Sequence, residues 1–373
     1  MLVPKLRFKE FNDEWQLKKL GRLVDIKRGA SPRPINKYIT SNDNGVNWIK
    51  IGDVSTDDMY INSTKEKITI EGAKKSRAVH KGDLILSNSM SFGRPYILNI
   101  DGYIHDGWLL ISNYSSYFYI NFLVELLSSQ YMKSQYIKLS AGSTVLNLNS
   151  DLVASTLVPV PSLEEQTKIA NFLSLIDRKI ELQEKLVENL KLYKKGLLQK
   201  VFSNNQGWKS AKLGDIFQYE QPNNYIVENA EYNSNYTIPV LTANKGFILG
   251  YTNETNTYNK GKCIIFDDFT MDFKYVDFPF KVKSSAIKIL TTKKEYNINF
   301  MYQLLKTITL EPISHQRHYI SMVQNIEVTI PSIEEQNRIA NLFTSLDKKI
   351  ELETKKLQDL KTYKKGLLQK MFI

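Results

Sequence analysis

The 373-residue sequence predicts an α+β chain in which two globular domains alternate with two long helices, the helices pairing as an antiparallel intramolecular coiled coil about a pseudo-twofold repeat. Three observations lead there. The octapeptide YKKGLLQK occurs at 193–200 and again, unchanged, at 363–370. Extended outward, residues 161–202 and 331–372 agree at 25 of 42 positions without a gap, so the offset stays at 170 and marks a duplicated segment. Between the copies lie stretches rich in Tyr, Phe, Ile, Asn and Gly, with short apolar runs and turn signals. The predicted boundaries are 1–157 and 204–327 for the domains, and 158–203 and 328–373 for the helical regions.

In the first domain VNWIKIG and GDLILS read as strands and NDNG as a turn; YTIPVL, KCIIF and SAIKIL are strands of the second. Each helix opens with Pro and Ser followed by Glu-Glu-Gln, where Ser162 or Ser332 can cap and Glu165 or Glu335 falls three residues later. Apolar residues then step by four and three. They are Ile169, Leu173, Ile176, Ile180, Val187, Leu190, Leu197 and Val201 in the first copy. In the second they are Ile339, Phe343, Leu346, Ile350, Leu357, Leu360, Leu367 and Met371. This is a coiled-coil seam over four heptads.

Both copies break the seam at the same places, Gln183 and Lys194 in one, Glu353 and Lys364 in the other. In antiparallel pairing, a register with residue numbers summing to 547 sets Lys194 against Glu353 and Lys364 against Gln183; a sum of 533 makes the helix ends nearly flush. Each helix would be about 60 Å long at 1.5 Å per residue. Gly196 and Gly366 cost helix propensity, and their expected role is to let another backbone come close.

The formal charge of +11 and pI near 9.2 favour a polyanionic partner. A single cysteine, Cys263, excludes an internal disulfide and a Cys-rich zinc site and fits a reducing compartment. The opening MLVPKLRFKE carries no apolar signal core, and no stretch reaches the roughly 18 apolar residues of a membrane span. The expectation is a soluble cytoplasmic protein with no membrane partner.

The two domains also resemble each other. EWQLKKLGRLVDI at 14–26 matches GWKSAKLGDIF at 207–217 in its Trp and Leu-Gly pair, and KGDLILSNSMSFGRPY at 81–96 lies on KGKCIIFDDFTMDFKY at 260–275. Together with PKLRFKEFNDEW, the paired P-S-[LI]-E-E-Q helix entries, the D-[RK]-K-I-E-L centres and the terminal KKGLLQK, the whole chain resembles the specificity subunit of type I restriction-modification enzymes. The resemblance implies two target-recognition domains, each reading one half of a bipartite asymmetric site in double-stranded DNA. It implies helices that set the spacer and dock two methyltransferase subunits, with restriction/translocase subunits completing the complex. It also implies a non-catalytic subunit without a cofactor, with S-adenosylmethionine, ATP and Mg²⁺ on the partners. Four residues added to one helix would move a domain by roughly 6 Å, close to two base pairs at about 3.4 Å each.

For base or phosphate contact the loop SNSMSFGRP offers Asn88, Ser89 and Arg94, and AGSTVLNLN offers Ser143, Thr144 and Asn147. In the second domain SHQRHY gathers His315, Gln316, Arg317, His318 and Tyr319, and Lys274 corresponds to the Arg94 region. Two other functions compete. Asp267, Asp268, Asp272 and Lys274 in FDDFTMDFK could form a nuclease cluster, yet alternation on a strand and turn explains them. The chain has no Asn-Pro-Pro-aromatic motif for adenine methylation, no glycine-rich cofactor loop and no GxxxxGK[ST] loop. The third reading is a coiled-coil scaffold with protein-binding end domains. His315 and His318 lack a neighbouring carboxylate or Cys and make a poor metal site.

Overall fold

Each globular segment closes through the strands at its two ends. Gln16–Lys19 pairs antiparallel with Leu157–Val160, and Lys209–Lys212 pairs in the same way with Glu327–Ile330. Pro161 and Pro331 follow, and the chain turns directly into the long helices Leu163–Ser203 and Ile333–Met371. The computed structural model describes residues 3–54, 59–88, 92–140, 147–229, 231–244, 246–311 and 317–372. It divides into two compact units, Met1–Leu182 with Leu357–Ile373, and Gln183–Lys356. Each unit holds one domain, the first part of its own long helix and the last part of the other. Among the described residues no helix is long and apolar enough to cross a membrane.

The first domain has two five-stranded sheets, one of them ordered Asp25–Arg28, Trp108–Ser112, Leu84–Ser87, Pro95–Leu98, Tyr60–Ile61. In the second domain Phe217–Glu220, Ile287–Thr292, Cys263–Asp267 and Phe273–Val276 form the matching four-stranded sheet. The central hairpins pair alike: Leu84 faces Ile97, and Ile264 faces Tyr275, with Leu84 and Ile264 in the clusters that pack on the domain helices. The Ser87 amide donates to Arg94 O and the Asp267 amide to Asp272 O, so Asn88 and Asp268 are the first residues beyond each ladder.

The domain cores run into the helices. In the first unit Trp15 and Phe122 of the helix Ile120–Ser128 pack with Ile169, Leu173 and Ile176, and with Leu367, Met371 and Phe372 from the end of the other long helix. Ring centroids of Phe122 and Phe372 are 5.4 Å apart and those of Trp15 and Phe122 6.4 Å. The second unit repeats this with Phe202, Phe300 of the helix Ile298–Leu305, and Trp208, at 5.4 and 5.9 Å. Burying one such ring is worth about 1.5–3 kcal/mol.

The helix entries explain Glu-Glu-Gln. Gln166 is fully buried: its Nε2 donates to Pro161 and Tyr117 carbonyls at 3.0 and 2.8 Å, while its Oε1 accepts from the Tyr119 amide at 2.9 Å. Gln336 binds Pro331 O and the Asn297 amide likewise, so each Gln fixes the start of the domain helix. Ser162 caps by accepting from the Glu165 amide at 3.2 Å. The Glu165 carboxylate, however, turns to Arg7 at 2.7 and 2.8 Å and to the Trp15 indole at 3.1 Å, which anchors the N-terminal arm. The arm continues along the other helix end, where the Leu6 amide donates to Lys370 O at 2.9 Å.

The helices pair antiparallel, in a register that differs from the expected 547. Gln183 Nε2 donates to the Glu353 carbonyl and carboxylate at 2.9 and 2.7 Å, and Lys194 pairs with Asp347 rather than Glu353. Lys364 meets Asp177 at 2.8 Å and Glu125 at 3.0 Å, not Gln183. The reason lies outside the seam: Glu125 and Gln303, on the two domain helices, reach into these junctions, with Gln303 Nε2 at 3.4 Å from Asp347. Ile180, Gln183, Val187, Leu190, Lys194 and Leu197, with Ile350, Glu353, Leu357, Leu360, Lys364 and Leu367, are buried or half-buried.

Among the described residues no other segment approaches Gly196 or Gly366, where an added Cβ would meet nothing within 4 Å. Gly196→Ala and Gly366→Ala should therefore each stabilise the isolated chain, by about 1 kcal/mol. Denaturant midpoints that fell instead would show a hidden close contact.

Candidate nucleic-acid interface

Asn88 and Asp268 occupy equivalent places at the hairpin tips, and each ties three segments together through its backbone. The Asn88 amide donates to Gly107 O at 2.9 Å and its carbonyl accepts from the Leu148 amide at 2.9 Å. The Asp268 amide donates to Ala286 O at 2.8 Å and its carbonyl accepts from the His318 amide at 3.0 Å. The segment that holds Leu148 or His318, ahead of each long helix, is thus pinned to the hairpin tip of its domain.

In the first domain Asn88 Nδ2 also donates to Asp106 O at 2.9 Å. The Asp106 carboxylate collects a basic rim: the Ser31 hydroxyl donates at 2.7 Å, His105 Nε2 lies at 3.0 Å, Arg33 at 3.5 Å and Arg28 at 3.9 Å. Burial pushes the Asp106 carboxyl up, but Ser31, His105, Arg28 and Arg33 outweigh it and hold it below its usual range. His105 is lowered, first by burial and then by Lys50, Arg28 and Arg33, against the pull of Asp106. An adjoining cleft of about 710 Å³ has Pro34, Ile35, Ile39 and Trp48 as apolar lining and Arg33 and Lys50 among its charged groups. Exposed guanidinium groups beside an apolar, concave wall suit phosphate and base-edge contact.

In the second domain the same place holds a buried ion pair. Lys288 Nζ lies 3.2 Å from Asp268, both 1% exposed, and donates to Gln221 at 3.0 Å. Asp268 also accepts from the Tyr319 amide at 2.8 Å. Asp267 shapes the turn by accepting from the Phe269 and Thr270 amides at 2.9 and 3.0 Å. Asp267 and Asp268 are therefore engaged in turn and core while Asp272 is exposed, and among the described residues no group of three or more His, Cys, Asp or Glu is placed to hold a metal.

The expected readers separate accordingly. Asn88, His318 and Tyr319 are buried, contrary to a base-reading role in this state. Asn88 is committed to Asp106, and Tyr319 packs against Tyr219 and Phe266 at 5.4 and 5.7 Å. Asn147 and Arg317 are exposed. Arg94 is half-buried, 5.6 Å above the Tyr96 ring. Lys274 is half-buried in its strand, and its charge acts on Lys306 near the helix junction. Ser89, Ser143, Thr144, His315 and Gln316 lie outside the described residues. Arg28, Arg33, Lys50 and His105 had no spacing signal; the parallel pairing of Val46–Ile49 with Gly102–Ile104 helps bring them together.

The helices present a second surface. Leu182 and Tyr363 are exposed in the first unit, and their counterparts 170 positions away, Leu352 and Tyr193, are exposed in the second.

A family model for the type I restriction modification DNA specificity domain matches residues 12–192 and again residues 205–362. The chain belongs to that family. The EcoR124I/EcoR124II specificity subunit of Escherichia coli is 46% identical over 126 residues, 32% of this chain and 31% of that protein. The MjaIX specificity subunit of Methanocaldococcus jannaschii is 26% identical over 295 residues, 72% of this chain and 64% of that protein. The matched stretch thus spans about a third of the first relative and under two thirds of the second. The crystal structure of the S subunit of a type I restriction-modification system from M. genitalium has the same fold, with a TM-score of 0.63 at 17% identity over 100% of this chain and 99% of that one.

One titration follows from the second helix junction. The Lys306 ammonium lies 3.9 Å from the Tyr302 ring centre, and burial, with Lys194 and Lys274 adding to it and Asp347 opposing, lowers its pKa from 10.5 to about 8. Between these values the unfolded chain binds more protons than the folded one, so stability rises with pH. Lys306→Met should flatten that rise and raise stability at neutral pH. Thermal melts at neutral and alkaline pH check it, an unchanged slope being the contrary result.

Proposed function

We propose that this chain is the DNA-recognition subunit of a type I restriction-modification complex and is not itself an enzyme. Each domain reads one half of a bipartite asymmetric site in double-stranded DNA, and the paired helices set the spacer and dock two methyltransferase subunits. The observation that carries this reading is a duplicated frame with unlike edges. Equivalent backbone pins hold an arginine-rimmed Asp106 loop in one domain and an Asp268–Lys288 pair beside exposed Arg317 in the other. Two reading heads on one repeated frame suit a site whose halves differ.

Phosphate neutralisation by a chain of formal charge +11 supplies affinity, so binding should weaken steeply with salt. The repeated exposure of Leu182 and Tyr363, and of their counterparts Leu352 and Tyr193, supports docking of two copies of one partner. S-adenosylmethionine, ATP and Mg²⁺ would act on the methyltransferase and restriction/translocase subunits.

In the assembled complex, Arg33→Ala and Arg317→Ala should each relax selectivity at a different half-site, with discrimination falling by about 1–3 kcal/mol per lost base contact. Mapping of methylated adenines reads this, and unchanged selectivity at both halves would refute the assignment. A heptad inserted in both helices, between Leu182 and Gln183 and between Lys356 and Leu357, adds about 10 Å. The recognised spacer should grow by about three base pairs; a fixed spacer would exclude the ruler.

A further inference from the structure

The two junctions that join the long helices to their domains are alike in plan and opposite in charge. In the first, Lys364 meets two carboxylates, Glu125 and Asp177, at 3.0 and 2.8 Å. Glu125 is 5% exposed, and burial raises its pKa, with Lys364 opposing and Asp177 adding to the rise. In the second, Lys194 holds the place of Lys364 and Asp347 that of Asp177, each 170 positions from its counterpart. The counterpart of Glu125 is Gln303: each stands six residues beyond the amide that bonds Gln166 or Gln336.

The second junction therefore lacks one carboxylate. It also gains an ammonium group, Lys306, where the first domain has Ser128 at the equivalent helix position. Lys194 acts on Lys306, which stands beside Gln303. Gln303 partly compensates: its Nε2 reaches Asp347 at 3.4 Å and its Oε1 lies 3.5 Å from Lys306 Nζ, both weak contacts. Two ammonium groups, Lys194 and Lys306, share the carboxylate of Asp347, whereas Lys364 alone has two in the first junction.

We propose that the second junction is an oxyanion site, completed by an acidic side chain from a docked protein in the place that Glu125 fills in the first. The internal counterpart specifies the chemistry, a carboxylate. The neighbouring surface fits a protein as its source, because the exposed Leu192 and Tyr193 immediately precede Lys194. The source of the carboxylate rests on the reading that these helices dock partner subunits; the site itself does not.

Two measurements separate these. With the full chain alone, thermal midpoints are compared in sodium sulfate and sodium chloride at equal ionic strength. The general stabilising effect of sulfate is common to all variants, so the wild type and Gln303→Met should gain more from sulfate than Gln303→Glu, which supplies the carboxylate internally. Equal gains would overturn the site. In co-purification with the methyltransferase subunits, Gln303→Glu should assemble roughly tenfold more weakly, the scale of one interfacial charge pair. Assembly as strong as wild type would overturn a partner's carboxylate as the occupant. Wild-type chain that failed to assemble at all would instead count against the docking reading, leaving the sulfate result to judge the site.

Discussion

Neither domain has a complete core of its own. Phe122 and Phe300 sit at the centre of their domain helices, and each is covered by a Trp from the domain entry and by a Phe from the end of a long helix belonging to the other half of the chain. Those aromatic contacts join three distant stretches of sequence into one apolar cluster. Exposing a ring at that point loses transfer energy and leaves a void where the three stretches meet. Each unit consequently contains segments from both copies of the repeat, and the antiparallel course of the helices is the arrangement that delivers each helix end to the opposite domain.

Order passes outward from this cluster by polar links. Buried Gln166 and Gln336 attach the helix entries to the domain helices, and the paired strands on either side of each domain hold its two ends together. Asn88 and Asp268 then fix the last segment before each helix against a hairpin tip. The surface loops thereby hang on a continuous frame, while their side chains are free to differ between halves. In one half a basic rim gathers on Asp106; in the other an ion pair is enclosed, where losing one partner would leave a charge unpaired.

Periodicity made the long helices legible, since a heptad needs only local spacing to declare itself. Their register was not, because Lys194 and Lys364 are held by Asp347 and Asp177 together with Gln303 and Glu125, and the latter two come from domain helices that no seam pattern includes. The terminal Phe of each repeat read as an extension of the rod, yet it is a core residue of a domain. Asn88, His318 and Tyr319 looked like readers on composition alone. They are interior because a loop crossing between hairpin and helix must satisfy its backbone groups somewhere. Arg28 and Arg33 carry no motif, and only tertiary contacts reveal their convergence on Asp106.

The closing strands have a consequence for heredity. Because each domain begins and ends on one two-stranded ladder, the coding segment between those strands behaves as a cassette with its cut points side by side in space. Recombination there could exchange one domain and leave the other untouched. The newcomer would have to bring only a Trp before its first strand, a Phe in its domain helix and a backbone that meets the buried Gln. New pairings of domains could then arise by shuffling existing parts, without waiting for point mutations in the frame.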